Sequence, residues 1–227
     1  DQMSGADIVT GPVWSFTTAR LVPAAANLGA ATSDVPGFEI YTVKAQTEIN
    51  NFAEMNEILD TGLMEGLPPV EGSEGTRIDE FVNLRDTGNG AFDNDKSFPG
   101  IDALEDPAAD PADGDDEEDF ATEVVGCIQL TAGVHTIGAN SDDGTIVWVG
   151  GVEIGRSEEL KGASNRDFTF EVAEDGFYTI KAHHFERGGG ASLELHEILP
   201  DGTRILLNDV ANGGSAVFAP APVTGVP

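Results

Sequence analysis

The sequence predicts an all-β fold: an antiparallel β-sandwich with one short flanking helix and long acidic loops. Three observations carry this expectation. Residues 121–219 break into short runs such as "ATEVVGCIQL", "GTIVWVGG", "GFYTIKAHHFE" and "ASLELHEILP", in which apolar and polar residues alternate. Period-two alternation is the pattern of a strand with one buried face. Gly, Asn and Asp punctuate these runs about every 8–12 residues, the turn spacing of sandwiches and barrels. No amphipathic run of helical length interrupts them.

Taken in order, the chain divides at residues 35 and 219. Residues 1–35 begin polar, pass through "GPVWSFTTARLV" and enter an Ala/Pro/Gly stretch. Trp14, Phe16 and Thr18 alternate with Ser15 and Thr17, which reads as one strand, and one strand is not a domain. The "GPVWSFTT" string resembles the last strand of fibronectin-type-III-like modules of bacterial surface proteins. Residues 1–18 are thus expected as a strand remnant and residues 19–35 as a linker. The body follows over 36–219, with 220–227 as a C-terminal linker. Within the body "FEIYTVKA" suits a strand. Ile49, Phe52, Met55, Ile58 and Leu59 recur at spacings of three and four, which predicts a short helix over 49–60 ended near Gly62. From Gly62 to Asp119 the chain is mostly Gly, Pro and acid, with Phe81, Phe92 and Phe98 as spaced anchors. Residues 102–119 carry ten carboxylates, and such a run repels itself into a solvated loop. "AEDG" at 173–176 and "LPDG" at 199–202 both read as hairpin turns.

Composition narrows the function. The 227 residues hold 11 Lys and Arg against 41 Asp and Glu, a formal net charge of -30. Nucleic acid and anionic membrane surfaces are repelled by such a field. A divalent-cation binder, a halophilic protein or an extracellular protein with acidic loops fits it. Apolar residues make up 40%, so the whole chain is no disordered acidic tail. Cys127 is the one cysteine, which excludes an intrachain disulfide and leaves a Cys-ligated zinc site without ligands. It reads as a small core residue. No apolar run reaches the roughly 18 residues that span a bilayer. Asp1 opens nothing like a signal peptide, as expected of a piece of a longer exported protein.

Two long pieces carry a family resemblance. "DFATEVVGCIQLTAGVHTIGANSDDGTIVWVGGVEI" and "EVAEDGFYTIKAHHFERGGGASLELHEILPDGTRI" resemble the second half of a PA14 domain, a β-sandwich module of bacterial toxins, glycosidases and cell-surface adhesins. Ser141, Asp142, Asp143 and Gly144 form the signature intact. Gly176, Tyr178, Glu186 and Gly188 to Gly190 follow in the family's order. "GFEIYTVKA" and "IDEFVNLRDTG" extend the resemblance to residues 37–219, with a longer acidic loop than the pattern has. In lectin-type members of that family the Asp-Asp dipeptide is joined by a cis peptide and holds Ca²⁺, and the ion engages vicinal sugar hydroxyls. The resemblance therefore implies Asp142 and Asp143 as metal and carbohydrate ligands.

The residues themselves permit this and leave an alternative open. Adjacent strand residues point to opposite faces, so two neighbouring carboxylates share one ion only where the backbone turns between them, and "NSDDG" offers a turn. Calcium takes six to eight oxygens at about 2.3–2.6 Å. The alternative is a pair of turn acids capping backbone N–H groups. Asn140 beside the signature and Glu186 beside a three-glycine turn are further candidate carbohydrate contacts, with turn capping and surface charge as their alternatives. Trp148 is a candidate stacking platform for a sugar, or a core aromatic. His183 and His184 face opposite sides of an extended segment, which suits no shared metal; one half-buried and one exposed imidazole are expected. "DNDKSFPGIDALED" starts like an EF-hand loop at Asp93, Asp95 and Ser97 but has Phe98 at position six and Leu104 at position twelve, so it fails. Nucleophile elbows, H-E-x-x-H, C-x-x-C and phosphate-binding Gly loops are absent, so no enzyme is expected.

The expected function is a calcium-dependent carbohydrate-binding, lectin-like module of a bacterial adhesin, secreted or on the cell surface. Its expected partners are a glycan or polysaccharide and the neighbouring domains of a longer surface protein. The alternative is a non-catalytic structural or assembly module without a sugar ligand.

Overall fold

Two sheets and one helix account for residues 19–86, 90–101 and 118–221, the residues described by the computed structural model. In chain order the first elements are β1 (Arg20–Val22), β2 (Phe38–Lys44), α1 (Phe52–Thr61), β3 (Glu74–Asp79) and β4 (Asn83–Arg85). Then come β5 (Phe120–Leu130), β6 (Gly133–Asp142), β7 (Gly144–Val149), β8 (Val152–Ser157) and β9 (Ser164–Val172). The chain closes with β10 (Gly176–Glu186), β11 (Ser192–Ile198), β12 (Arg204–Leu206) and β13 (Val217–Phe218). One sheet runs β1-β9-β6-β11-β12, with β4 also on β11; the other runs β3-β2-β5-β10-β7-β8, with β13 on β5.

The long strands explain themselves by parity. In β10, Tyr178, Ile180 and Ala182 face the core between the sheets, together with Val124 and Ile128 of β5 and Leu193 and Leu195 of β11. The intervening residues of β10 face outward, and a one-residue slip would exchange the two sets. Helix α1 covers part of that outer face. Asn51 caps it, accepting from the N–H groups of Ala53 (2.9 Å) and Glu54 (3.1 Å). Gly62 ends it in the left-handed region at φ 70°, where a side chain is disfavoured. Phe52, Met55 and Ile58 pack onto Val43, Ile146 and Phe185. Ile49 is buried in the same cluster but precedes the helix.

The all-β sandwich with one short helix is as expected, its pairings antiparallel apart from β1, which runs parallel to β9. Other expectations need correction. Within residues 19–35, β1 joins a sheet, and Asn27 ties the following turn to Glu174 (2.9 Å) and to the Asp175 carbonyl (3.2 Å). The stretch from Gly62 to Asp119 contains β3 and β4. Strand β3 is a sheet edge with exposed alternate positions, and β4 is three residues long, so neither offers an apolar run to read. "AEDG" joins β9 of one sheet to β10 of the other and is no hairpin, whereas "LPDG" is the β11–β12 hairpin. His183 and His184 are both buried, since α1 covers the outer imidazole and the inner one lies between the sheets. The strand expected within residues 1–18, most of the acid run at 106–119 and most of the 220–227 linker lie outside the described residues.

Of the three phenylalanine anchors, Phe98 is buried while Phe81 and Phe92 are half-buried. The Phe98 ring lies 4.8 Å from Phe120 and stacks on His184 at 5.6 Å. Nearby, Lys96 and Arg77 both reach the buried Asp79 carboxylate, at 2.6 and 2.7 Å. Phe98→Ala should destabilise the protein by about 3–5 kcal/mol, the usual loss for a fully buried ring. The urea midpoint reads this directly, with an unchanged slope if the native state keeps its compactness.

Candidate metal and ligand site

At one end of the sandwich the chain crosses from β6 in one sheet to β7 in the other through a single residue, Asp143. The Asp142–Asp143 peptide bond is cis. Gly144 follows because a Cβ there would run into the Phe185 ring. Glu186 ends β10, which lies beside β7. Ligand atoms of Asp142, Asp143 and Glu186 all lie within 4.8 Å of one another.

Backbone N–H groups of two loops brace these carboxylates from outside. Asp143 Oδ1 accepts from the Lys161 N–H at 2.5 Å and Oδ2 from the Arg187 N–H at 3.2 Å. Asp142 accepts from the Ala163 N–H, and Glu186 Oε1 from the Gly188 N–H at 2.7 Å. Beneath them, Ser141 Oγ donates to the Asp143 carbonyl at 2.9 Å, and His184 Nε2 donates to the Asp142 carbonyl at 2.7 Å. Burial pushes His184 down to about 4, so its ring stays neutral and serves as a buttress. Lys161 brings a cation to the cluster, and its ammonium donates to the Ser141 carbonyl and to Ser141 Oγ.

The electrostatics are those of an unbalanced acid cluster. Burial pushes Glu186 up to about 9, with repulsion from Asp143 and Asp142 adding to it. Burial and Asp143 push Asp142 up to about 6. Glu186 Oε2 is buried without a hydrogen-bond partner, an arrangement that is costly in a protein interior. Oxygen donors converging on one point, one of them unpartnered, fit a hard divalent cation. Three carboxylates alone fill fewer than the six to eight positions of calcium.

The sequence-derived site residues are only partly brought together. Asp142 and Asp143 have ligand atoms within 4.8 Å of each other. Glu186 joins them as a third carboxylate, fully buried where surface charge was the alternative. Asn140 lies two residues before Asp142 on the same face of β6, and its amide donates to Asn165 Oδ1 at 3.2 Å. Trp148 is on the outward face of β7, four residues beyond Gly144 and thus about 13 Å along the strand; it packs toward the α1 cluster. Lys161 was missed altogether. It follows β8, 18 positions after Asp143, and nothing in "SEELKGAS" marks it.

A pH dependence follows from these shifts. Between about 4.5 and 9 Glu186 is protonated in the folded protein and ionised in the unfolded chain. Rising pH through that window therefore favours unfolding of the metal-free protein. A cation needs the ionised form, so cation-induced stabilisation should grow over the same window. Differential scanning calorimetry in EDTA should show Tm falling from pH 5 to pH 9. Glu186→Gln should flatten that slope, raise the EDTA Tm at pH 8 and shrink the shift caused by calcium.

No protein-family model and no curated protein matches the chain. Solved structures do. The PA14 sugar-binding domain from an RTX adhesin aligns with a TM-score of 0.53 at 18% identity, covering 76% of this chain and 95% of that one. The PA14 domain of the antifreeze protein MpAFP gives 0.58 at 15% identity, over 86% and 98%. The epithelial adhesin 9 A domain from Candida glabrata, in complex with Galb1-4GlcNAc, gives 0.54 at 11% identity, over 92% and 99%. The chain has the PA14-type β-sandwich fold.

Proposed function

We propose that the protein is a non-catalytic, calcium-dependent carbohydrate-binding module of the adhesin or lectin type, carried by a secreted or cell-surface protein. One observation carries this reading: Asp142, Asp143 and the buried Glu186 bring carboxylate oxygens within 4.8 Å of one another at the end of the sandwich. Such a cluster would hold a cation, and a cation held at the end of a sheet can reach a ligand outside. Calcium suits it because every donor is a hard oxygen. The ion would supply a charge that orients two neighbouring sugar hydroxyls as its outer ligands.

The protein's own groups would do the rest. The N–H groups of Lys161, Ala163, Arg187 and Gly188 hold the carboxylates in place before any ligand arrives, so little ordering remains to be done on binding. Asn140 borders Asp142 as a candidate sugar contact. Two of the similar structures are described as a sugar-binding domain and as a complex with a disaccharide, which supports a glycan as partner. No helix among the described residues is long and apolar enough to cross a membrane. Neighbouring domains of a longer surface protein would present the module.

Thermal unfolding of wild type and Asp142→Asn, each in EDTA and in excess calcium, tests the metal. Calcium at a hundred times its Kd should stabilise the wild type by about 2.7 kcal/mol. Asp142→Asn should lose most of that shift together with glycan retention on an array read in calcium. Equal shifts in both proteins would place the metal elsewhere. No shift in either would favour a structural or assembly module.

A further inference from the structure

A second groove lies on the outward face of the seven-stranded sheet, beside α1 and away from the carboxylate cluster. Its volume is about 510 Å³, and its walls include Asn56 and Asp60 of α1, Trp148 of β7, and Thr179, Lys181 and His183 of β10. That size is in the ordinary range for a small-ligand site.

The groove is built around a held aromatic. Trp148 is half-buried: one edge packs toward the α1 cluster and the remainder lines the groove. The His183 ring meets the indole nearly edge-on, centroids 5.0 Å apart at 70°. The Lys181 ammonium stands 5.6 Å from the indole centroid. Both neighbours are tied down by one carboxylate, since Glu123 Oε2 accepts from His183 Nε2 at 2.8 Å and from Lys181 Nζ at 3.0 Å. The His183 hydrogen bond, with help from Lys181, holds Glu123 down to about 2. On the other side His183 Nδ1 lies 2.9 Å from the Asn56 side-chain amide. Indole, ammonium and amide are therefore fixed relative to one another before anything binds. A half-buried tryptophan that served only the core would need none of this.

The lining decides the ligand class. A lipid chain or an apolar peptide would strip water from the Asp60 carboxylate and from the Lys181–Glu123 pair and offer no hydrogen bond in return. An anionic nucleotide would meet Asp60 on a chain of net charge -30, which repels it. A sugar ring has what the groove asks for: a C–H face for the indole, and hydroxyls that both accept from Lys181 and donate to Asp60, Asn56 and Thr179. Among the described residues Asp60 is the one carboxylate in the groove lining, and nearby Glu123 is committed to Lys181 and His183, which leaves too few carboxylates to hold a cation.

We propose that the Trp148 groove is a second saccharide-binding site that works without a metal ion. It lies on β7 and β10 at a distance from the cluster, so both sites could engage one polysaccharide at once. Simultaneous engagement would raise the apparent affinity for long chains over short ones.

The test uses an array of neutral oligosaccharides read in EDTA, with wild type, Asp142→Asn, Thr179→Trp and Trp148→Ala. Thr179 is exposed, so the bulky replacement fills the groove and leaves the core untouched. Wild type and Asp142→Asn should retain the same oligosaccharides in EDTA, and Thr179→Trp should lose at least tenfold in affinity for them. Trp148→Ala should lose them too, and Thr179→Trp keeps the test valid if that variant fails to fold. In a Trp14→Phe background Trp148 is the one remaining tryptophan, and its fluorescence should shift on titration with a retained oligosaccharide. An array blank in EDTA would overturn the second site, as would retention unaffected by Thr179→Trp. Retention seen only in calcium would overturn this site while leaving the calcium-dependent one standing.

Discussion

The arrangement on which the rest of this sandwich depends is the placement of three carboxyl groups within 4.8 Å of one another where water is scarce. Like charges in a poorly hydrated spot repel strongly, and Glu186 answers by holding its proton to about pH 9 in the absence of a cation. The surroundings are organised to keep the carboxyls there regardless. Ser141 and His184 grip the backbone under Asp142 and Asp143, Lys161 places its ammonium beside them, and two loops turn N–H groups toward the carboxylates. The packing of Phe98 and Phe120 against His184 extends that support into the core. An end of a sandwich that only joined two sheets would not need such bracing.

The acidity of the chain also acquires structure. Some of its carboxylates are structural ties. Asp79 gathers Arg77 and Lys96 and so holds the segment before Phe98 against the β2–β3 edge. Glu194, fully buried on the outward face of β11, accepts from the N–H groups of Ala91 and Phe92 at 2.7 to 3.0 Å and draws that segment over the six-stranded sheet. Burial raises its pKa while those N–H groups oppose the rise. The 41 acids thus include groups with quite different tasks, and net charge alone distinguishes none of them.

The two sheets treat their outward faces differently. The six-stranded sheet has part of its face roofed by the segment around Ala91 and Phe92. The seven-stranded sheet is roofed by α1 only over its apolar half, where Phe52, Met55 and Ile58 meet Ile146 and Phe185. Where the helix ends its cover, the polar network of Glu123, Lys181 and His183 surrounds Trp148. That boundary between packed and open sheet creates the groove. A helix with a longer apolar stripe would have closed it.

Local patterns were enough to read the all-β class, the long strands of the second half and the helix ended by Gly62, because period-two alternation, three-and-four spacing and a left-handed glycine are properties of neighbouring residues. The "SDDG" signature likewise marked Asp142 and Asp143. Short or edge strands were illegible, since β4 has three residues and β3 has one large apolar residue, Ile78, which is itself exposed. The parallel pairing of β1 and the sheet-to-sheet crossing at "AEDG" are choices of partner, which no local pattern encodes. The meeting of strand ends and loops in space made Glu186 a buried third carboxylate, set Lys161 of a distant loop beside Asp142 and Asp143, and turned Trp148 to a different face from Asp143. Each of those outcomes depends on which strand ends and loops meet in space, because residues 18 to 44 positions apart converge there and no local pattern records the meeting.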